Sequence, residues 1–127
     1  MTKAELREWV NGCYHFAWQL AQIDALERYY HPHFMGIFNQ QDSFDLHFLK
    51  QRIIDCSAAL KMRGYRLHLI NASDAQIQIN ANLSAQLRYG GGKKLIWRST
   101  NKLLLKNSKI IGCEIEADTV FIDHPLF

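Results

Sequence analysis

The sequence predicts an α+β fold in which helices come first and a strongly curved antiparallel sheet follows. Apolar residues recur at helical spacing through the first half of the chain, but from Tyr65 onwards they alternate with polar residues, as they do in strands. Three of the four strands predicted after Tyr65 also exceed the usual length of about five or six residues. Long strands twist and curl, which gives a sheet a concave face.

The composition is typical of one globular domain spanning residues 1–127. Hydrophobic residues make up 48% of the 127 residues and charged residues 21%. The chain has no membrane-length apolar run, and its start lacks a signal peptide's apolar segment. The net charge of +3 is modest and its basic residues are dispersed, which argues against nucleic-acid binding. The widely spaced Cys13, Cys56 and Cys113 fit reduced thiols. We therefore expect a cytoplasmic protein that binds neither nucleic acid nor membrane.

The helices are predicted from capping residues and apolar stripes. Thr2 and Glu5 form a capping box for the first helix. The buried stripe of that helix is Leu6, Val10, Cys13, Ala17 and Leu20. Asp24 is expected to cap a short helix over residues 25–30, which precedes a strand over residues 34–39. A third helix is expected to begin after Asp42 or Ser43 and to stop at Gly64.

Four strands are predicted over residues 65–71, 75–89, 93–106 and 110–121. In the third of them Ser99 and Asn101 share one face with leucines and Trp97. A strand that only covers a core does not need polar groups there, whereas one that lines a ligand cavity does. For the last hairpin we predict the register that places Lys102 opposite Glu114, Leu103 opposite Cys113, Leu105 opposite Ile111 and Arg98 opposite Asp118. Shifting this register by one residue would bury glutamates in the concave face.

The order and lengths of these elements resemble the nuclear transport factor 2-like superfamily, and in particular its SnoaL-like polyketide cyclase and ketosteroid isomerase branches. The segment DALERYYHPHFMGIFN, residues 24–39, carries the best local match. The resemblance implies a cone-shaped α+β barrel (the cystatin-like fold) and a homodimer that associates through the sheet. It also implies a pocket for a small apolar or aromatic ligand between the helices and the sheet.

The resemblance to the isomerase branch also implies site residues. Tyr14 corresponds to the family's tyrosine donor and Asn101 to its protonated aspartic acid. Phe38 stands where the family's proton-shuttling aspartate would be, so the usual carboxylate base is missing. Trp18, Phe38, Trp97 and Ser99 are expected to form the pocket walls, and His33 is a tentative substitute base. Enolate chemistry of the isomerase or cyclase type is the favoured reaction class if the protein is an enzyme.

Other interpretations remain open at this point. Asn101 and Ser99 could satisfy each other or bind a buried water. The chain could be a non-catalytic dimerisation or protein-interaction module whose cavity is filled by side chains. A dehydratase or epoxide hydrolase of the same fold would need Glu114 or Glu116 to point inward. We expect no cofactor and no metal, because His31 and His33 alone do not complete a zinc site.

Overall fold

The computed structural model describes residues 1–89 and 91–117. The helical elements of this part are α1 (Lys3–Tyr14), a π-helical turn (His15–Gln19), a 3-10 turn (Ile23–Ala25), α2 (Leu26–Tyr29) and α3 (Leu46–Ala59). The strands are β1 (Tyr30–Phe38), β2 (Asp42–Asp45), β3 (Leu60–Ala72), β4 (Gln76–Leu87), β5 (Lys94–Lys106) and β6 (Lys109–Ala117). No helix of these two ranges is long and apolar enough to cross a membrane.

The strands form one six-stranded sheet in the order β2-β1-β6-β5-β4-β3. The helices pack on one face of this curved sheet, so the predicted α+β fold class is confirmed. One detail of the sheet differs from the prediction. The pairing of β1 with β6 is parallel, whereas the other neighbouring strands pair antiparallel. β6 therefore lies inside the sheet, between β1 and the antiparallel meander of β5, β4 and β3.

The first helix begins as the sequence predicts and ends differently. Thr2 and Glu5 form the capping box. The stripe from Leu6 to Ala17 is buried, but Leu20 is 43% exposed. The cause is the π-helical turn, in which the Leu20 N–H donates to the carbonyl of His15 at 3.0 Å. The wider turn contains an extra residue, which rotates Leu20 off the apolar face.

The caps of the other helices were wrongly predicted. Asp24 lies inside the 3-10 turn and caps nothing. Residues 42–45 form strand β2 against β1, so the cap of α3 is Asp45, whose carboxylate accepts from the Phe48 N–H at 2.8 Å. Gly64 does not end α3, because the chain is already extended at Leu60 (φ −124°, ψ 140°). Gly64 instead belongs to β3.

The predicted register of the last hairpin is confirmed for the pairs that lie away from the turn. Lys102 pairs with Glu114, and Leu103 pairs with Cys113. Nearer the turn a bulge shifts the pairing by one residue, so Leu105 lies opposite Ile110 rather than Ile111. The predicted pair of Arg98 with Asp118 lies outside the described residues.

Two apolar clusters fill the space between the helices and the inner face of the sheet. The first cluster is centred on Val10 of α1 and on Ile77, Ile79 and Leu103 of the sheet. The second cluster comprises Trp18, Cys56, Leu60, Ala85, Leu95 and Trp97. Between the two clusters the inner face carries small side chains, one of which is polar. These are Ala81, Ser99 and Ala117, which lie side by side on β4, β5 and β6. The inner face is therefore least apolar at that boundary.

Candidate functional site

Asn101 lies on the inner face, as its alternation with the leucines of β5 predicts. It is 3% exposed and is the only buried polar residue among residues 1–89 and 91–117. Its lateral neighbours on the sheet are Ile79 of β4 and Ile115 of β6. A buried amide in such apolar surroundings needs hydrogen-bond partners, because an unpaired one costs about 1–3 kcal/mol.

Ser99 supplies one of those partners. The Asn101 Nδ2 donates to Ser99 Oγ at 2.9 Å, and the Ser99 hydroxyl donates to the carbonyl of Ala81 at 3.5 Å. An asparagine amide group carries two N–H donors and a carbonyl oxygen. Ser99 therefore orients Asn101 and uses one of these groups.

Tyr14, the tyrosine that the sequence assigns to the site, is the last residue of α1. Its ring lies 6.2 Å from that of Tyr65 on β3, and it packs against the first cluster. Burial raises the pKa of the Tyr14 phenol well above its usual value, and the neighbouring Cys13 and Cys113 thiols raise it further. The Tyr14 hydroxyl therefore keeps its proton at physiological pH, so it is able to donate a hydrogen bond.

The two tryptophans form a wall beside this site. Trp18 and Trp97 meet edge to face with ring centroids 5.5 Å apart. The Trp18 Nε1 donates to the carbonyl of Gly64 at 2.7 Å, which joins the π-helical turn to β3. Trp97 is 3% exposed and packs within the second cluster.

Phe38 and His33 lie on opposite faces of β1. Phe38 alternates in step with the buried Phe34, so its side chain lies on the inner face of β1. It pairs with Ile115, which also pairs with Asn101, so the three residues form one row across the sheet. His33 is exposed on the other face, where its main-chain N–H donates to Nδ1 of the His31 ring at 3.0 Å. That position argues against His33 as a base for a ligand beside Asn101. The structure thus brings Phe38, Ser99 and Asn101 to the inner face and leaves His33 outside.

The inner face of the described chain carries neither an acidic side chain nor a cluster of metal ligands. Glu114 and Glu116 are exposed on the outer face of β6. Within residues 1–89 and 91–117 no three His, Cys, Asp or Glu side chains cluster as a metal site would require. The described part therefore offers donors at the site and no base.

The cavities are smaller and differently placed than the sequence predicts. A cavity of about 50 Å³ lies between α1 and β3, lined by Arg7, Val10, Asn11, Leu67, Leu69 and Ile79. Ligand sites usually measure about 300–1,000 Å³. An open depression of about 580 Å³ lies instead over the outer face, and its lining includes His68, Asn80, Asn82, Arg98, Thr100 and Glu116.

Sequence reasoning missed two residues that build the site. The Tyr65 hydroxyl donates to the carbonyl of Asn11 at 3.2 Å and so fixes β3 to α1. Arg63 donates to the carbonyls of Trp18, Gln19 and Leu60 at 2.8, 3.1 and 2.8 Å. Apart from the Leu60 carbonyl, which is three residues from Arg63, these partners are main-chain atoms distant in sequence. No local pattern therefore marks the two residues.

No protein-family model and no curated protein matches the sequence, but solved structures superpose on the chain. A proposed polyketide cyclase from Acidithiobacillus ferrooxidans superposes with a TM-score of 0.79 at 15% identity, covering 96% of this chain and 94% of that one. A SnoaL-like polyketide cyclase from Agrobacterium tumefaciens gives 0.69 at 11% identity, covering 93% and 95%. The chain has the nuclear transport factor 2-like fold.

A third structure with this fold holds a small molecule. It is a Catenulispora acidiphila protein with a ketosteroid isomerase-like fold, solved in complex with trimethylamine. Its TM-score is 0.66 at 10% identity, and the match covers 84% of this chain and 82% of that one. At identities this low, the superpositions show a shared nuclear transport factor 2-like fold and nothing more.

Proposed function

We propose that this protein binds a small, mostly apolar molecule at the inner face of its sheet and hydrogen-bonds a carbonyl or hydroxyl of that molecule with Tyr14 and Asn101. The single observation that carries the proposal is the burial of Asn101 between Ile79 and Ile115. A leucine there would extend the apolar clusters without any need for hydrogen bonds. An amide is useful where it meets a polar group on a ligand.

The surroundings of Asn101 support this proposal. Ser99 holds the amide in one orientation, and the small side chains of Ala81 and Ala117 flank Ser99. Trp18, Trp97 and Phe38 are the proposed apolar walls. The cavity of about 50 Å³ beneath α1 is smaller than such a ligand and is lined by none of the proposed wall residues, so binding requires the side chains around Asn101 to repack. Cores repack in this way when a ligand supplies the lost contacts.

Two neutral donors that point to one oxygen would stabilise an enolate, as in the isomerase and cyclase chemistry of proteins with this fold. Proton transfer also needs a base, and the described inner face holds neither a carboxylate nor a histidine. Ligand binding is therefore the core of the proposal, and enolate chemistry is its extension to a substrate that contains an acidic C–H bond beside a carbonyl.

A thermal-shift screen with steroids, aromatic polyketides and fatty acids tests the binding proposal. We expect at least one apolar compound with a carbonyl or hydroxyl to raise the melting temperature. Asn101→Leu should abolish the shift, whereas Asn80→Leu, which replaces an exposed asparagine on the outer face, should preserve it. A shift that is unchanged in Asn101→Leu, or no shift with any compound, would refute the proposal.

The second candidate function is a non-catalytic homodimer module, and the outer face favours it. Arg66, His68, Arg98 and Lys102 are basic residues of β3 and β5 on this face, whereas Glu114 and Glu116 are acidic residues of β6. His68, Asn80, Thr100 and Glu116 form one row across four strands. A two-fold axis along the strands would set Glu116 against the partner subunit's His68, so the face is complementary to itself.

Sedimentation equilibrium distinguishes the module from a monomer. We propose a cytoplasmic homodimer that dissociates when Glu116→Lys places like charges opposite each other. Glu8→Lys, which makes the same change on an exposed site of α1, is the matched control. A monomeric wild type would exclude the module, and it would leave the inner-face site intact.

A further inference from the structure

The cavity beneath α1 has an apolar floor and a cationic rim. Val10 and Ile79 are buried and form its floor, and Leu67 and Leu69 of the edge strand β3 form one wall. Arg7 is exposed and lines the opposite end, where the cavity meets solvent. At about 10–15 Å³ for each water, 50 Å³ holds roughly four waters or a short alkyl segment.

The guanidinium of Arg7 is available to a ligand. The two ion pairs found within residues 1–89 and 91–117 join the N-terminus to Asp74 and Lys50 to Glu27. Lys3 lies one helical turn before Arg7 and adds a second positive charge to this end of the helix. The rim therefore carries positive charge that no acidic group of the described chain neutralises by direct contact.

The wall beside Arg7 is held in place. The Asn11 Nδ2 donates to the carbonyl of Arg7 at 3.1 Å, and the Tyr65 hydroxyl donates to the carbonyl of Asn11 at 3.2 Å. These bonds fix the helix segment that faces β3. The planar guanidinium of an arginine on this segment can bind a carboxylate through two parallel hydrogen bonds.

The cavity borders the proposed binding site. Ile79 of its floor is the direct cross-strand neighbour of Asn101. Val10 of its floor lies one helical turn before Tyr14. The cavity therefore lies next to the residues proposed as donors, although neither Tyr14 nor Asn101 lines it.

We propose that the ligand of this protein is a small carboxylate with an apolar body, whose anionic group binds Arg7 at the rim while its body enters the cavity towards Asn101. The direction towards Asn101 rests on the proposed function. The carboxylate site at Arg7 rests only on the cavity, its apolar floor and the unneutralised charge at its rim.

Titration of hexanoate against hexanamide at pH 7.5 tests the proposal, with backbone amide NMR shifts as the readout. The two compounds have the same alkyl chain and differ in charge. We expect hexanoate to bind at least tenfold more tightly, with shifts centred on α1 and β3. Arg7→Gln should abolish this preference, and Lys3→Gln, which removes a charge one turn away, should retain most of it.

Three outcomes would overturn the inference: equal affinities for the two compounds, a preference that survives in Arg7→Gln, or binding of neither compound. Leu69→Phe narrows the cavity from its half-buried wall, and it should weaken both compounds together. The effect of Asn101→Leu separates the two proposals. If hexanoate still binds through Arg7 in Asn101→Leu with unchanged affinity, the carboxylate site stands and the proposed role of Asn101 fails.

Discussion

Trp18 donates its indole N–H to the carbonyl of Gly64 across 2.7 Å, and this bond joins the end of the first helical segment to the edge strand β3. Arg63, the residue before Gly64, donates back to the carbonyl of Trp18 at 2.8 Å. The two bonds run in opposite directions between the same pair of segments. Together they fix the π-helical turn and the wall that Trp18 and Trp97 form beside the candidate site.

Trp18→Phe should lower the free energy of unfolding by about 2–4 kcal/mol. Phenylalanine keeps most of the apolar area, but it loses the hydrogen bond and the fit against Trp97, and it leaves the Gly64 carbonyl without that donor. Urea unfolding measures the change. Trp9→Phe, at a half-buried tryptophan for which no hydrogen bond is found in the described chain, should cost clearly less. Equal losses in the two variants would contradict the proposed importance of the Trp18 bond.

Arg63→Met should destabilise the protein by about 2–4 kcal/mol, because it leaves three carbonyl groups without their charged donor. Burial lowers the pKa of Arg63, but the guanidinium remains charged throughout the physiological range. Arg66→Met, on the exposed face of the same strand, is the matched control and should change stability by less than about 0.5 kcal/mol. Similar losses at the two positions would show that Arg63 is not a structural clamp.

Gly12→Ala should destabilise the wild type and stabilise a Tyr29→Phe background. A Cβ atom at Gly12 would lie 2.6 Å from Tyr29 Oη but 3.5 Å from the ring carbon that bears it. Removal of the hydroxyl therefore removes the clash, and the higher helix propensity of alanine, worth about 1 kcal/mol, then decides the sign. A double-mutant cycle by chemical unfolding measures this coupling. The same sign in both backgrounds would contradict the prediction.

The stability of the fold should decrease between about pH 9 and pH 12 as the unfolded chain ionises its cysteines. Burial raises the pKa of both Cys13 and Cys113 from 9.0 to about 12. Below pH 9 both states keep these protons, and the full stability is present. Above pH 9 only the unfolded state releases them, so each thiol costs about 1.4 kcal/mol per pH unit until its folded pKa is reached.

Unfolding curves at intervals between pH 8 and pH 10.5 measure this slope. Cys13→Ala should make the loss of unfolding free energy with pH smaller by about 1.4 kcal/mol per pH unit, which corresponds to one proton. This holds whatever the substitution does to stability at pH 7. Cys56, whose pKa burial raises to about 11, should contribute equally up to that pH. An unchanged slope in Cys13→Ala would show that this thiol ionises equally in both states.

The sequence was most informative where structure is local or strictly periodic. The Thr2–Glu5 capping box and the inward position of Asn101 follow from a three-residue spacing and from simple alternation, and both predictions were confirmed. The pairing of Lys102 with Glu114 was also confirmed, because a one-residue slip would have buried carboxylates. These features need no knowledge of the rest of the fold.

Features that depend on distant partners could not be read in advance. The strand at residues 42–45 forms only because β1 offers it an edge, and it displaces the cap of α3 to Asp45. The π-helical turn is fixed from outside by Arg63. The size of the cavity depends on how closely α1 approaches β3, which side-chain packing decides. Sequence patterns therefore predicted that Asn101 faces inward but could not determine the volume of the space beside it.

The parallel pairing of β1 with β6 also affects how the protein is made. While a ribosome is still synthesising residues 109–117, β1 and β5 have each completed their sequence but lack the strand that lies between them. Both flanks of this gap are open edges, which readily pair with the wrong strand. The nascent chain can therefore close its sheet only after β6 has emerged from the ribosome.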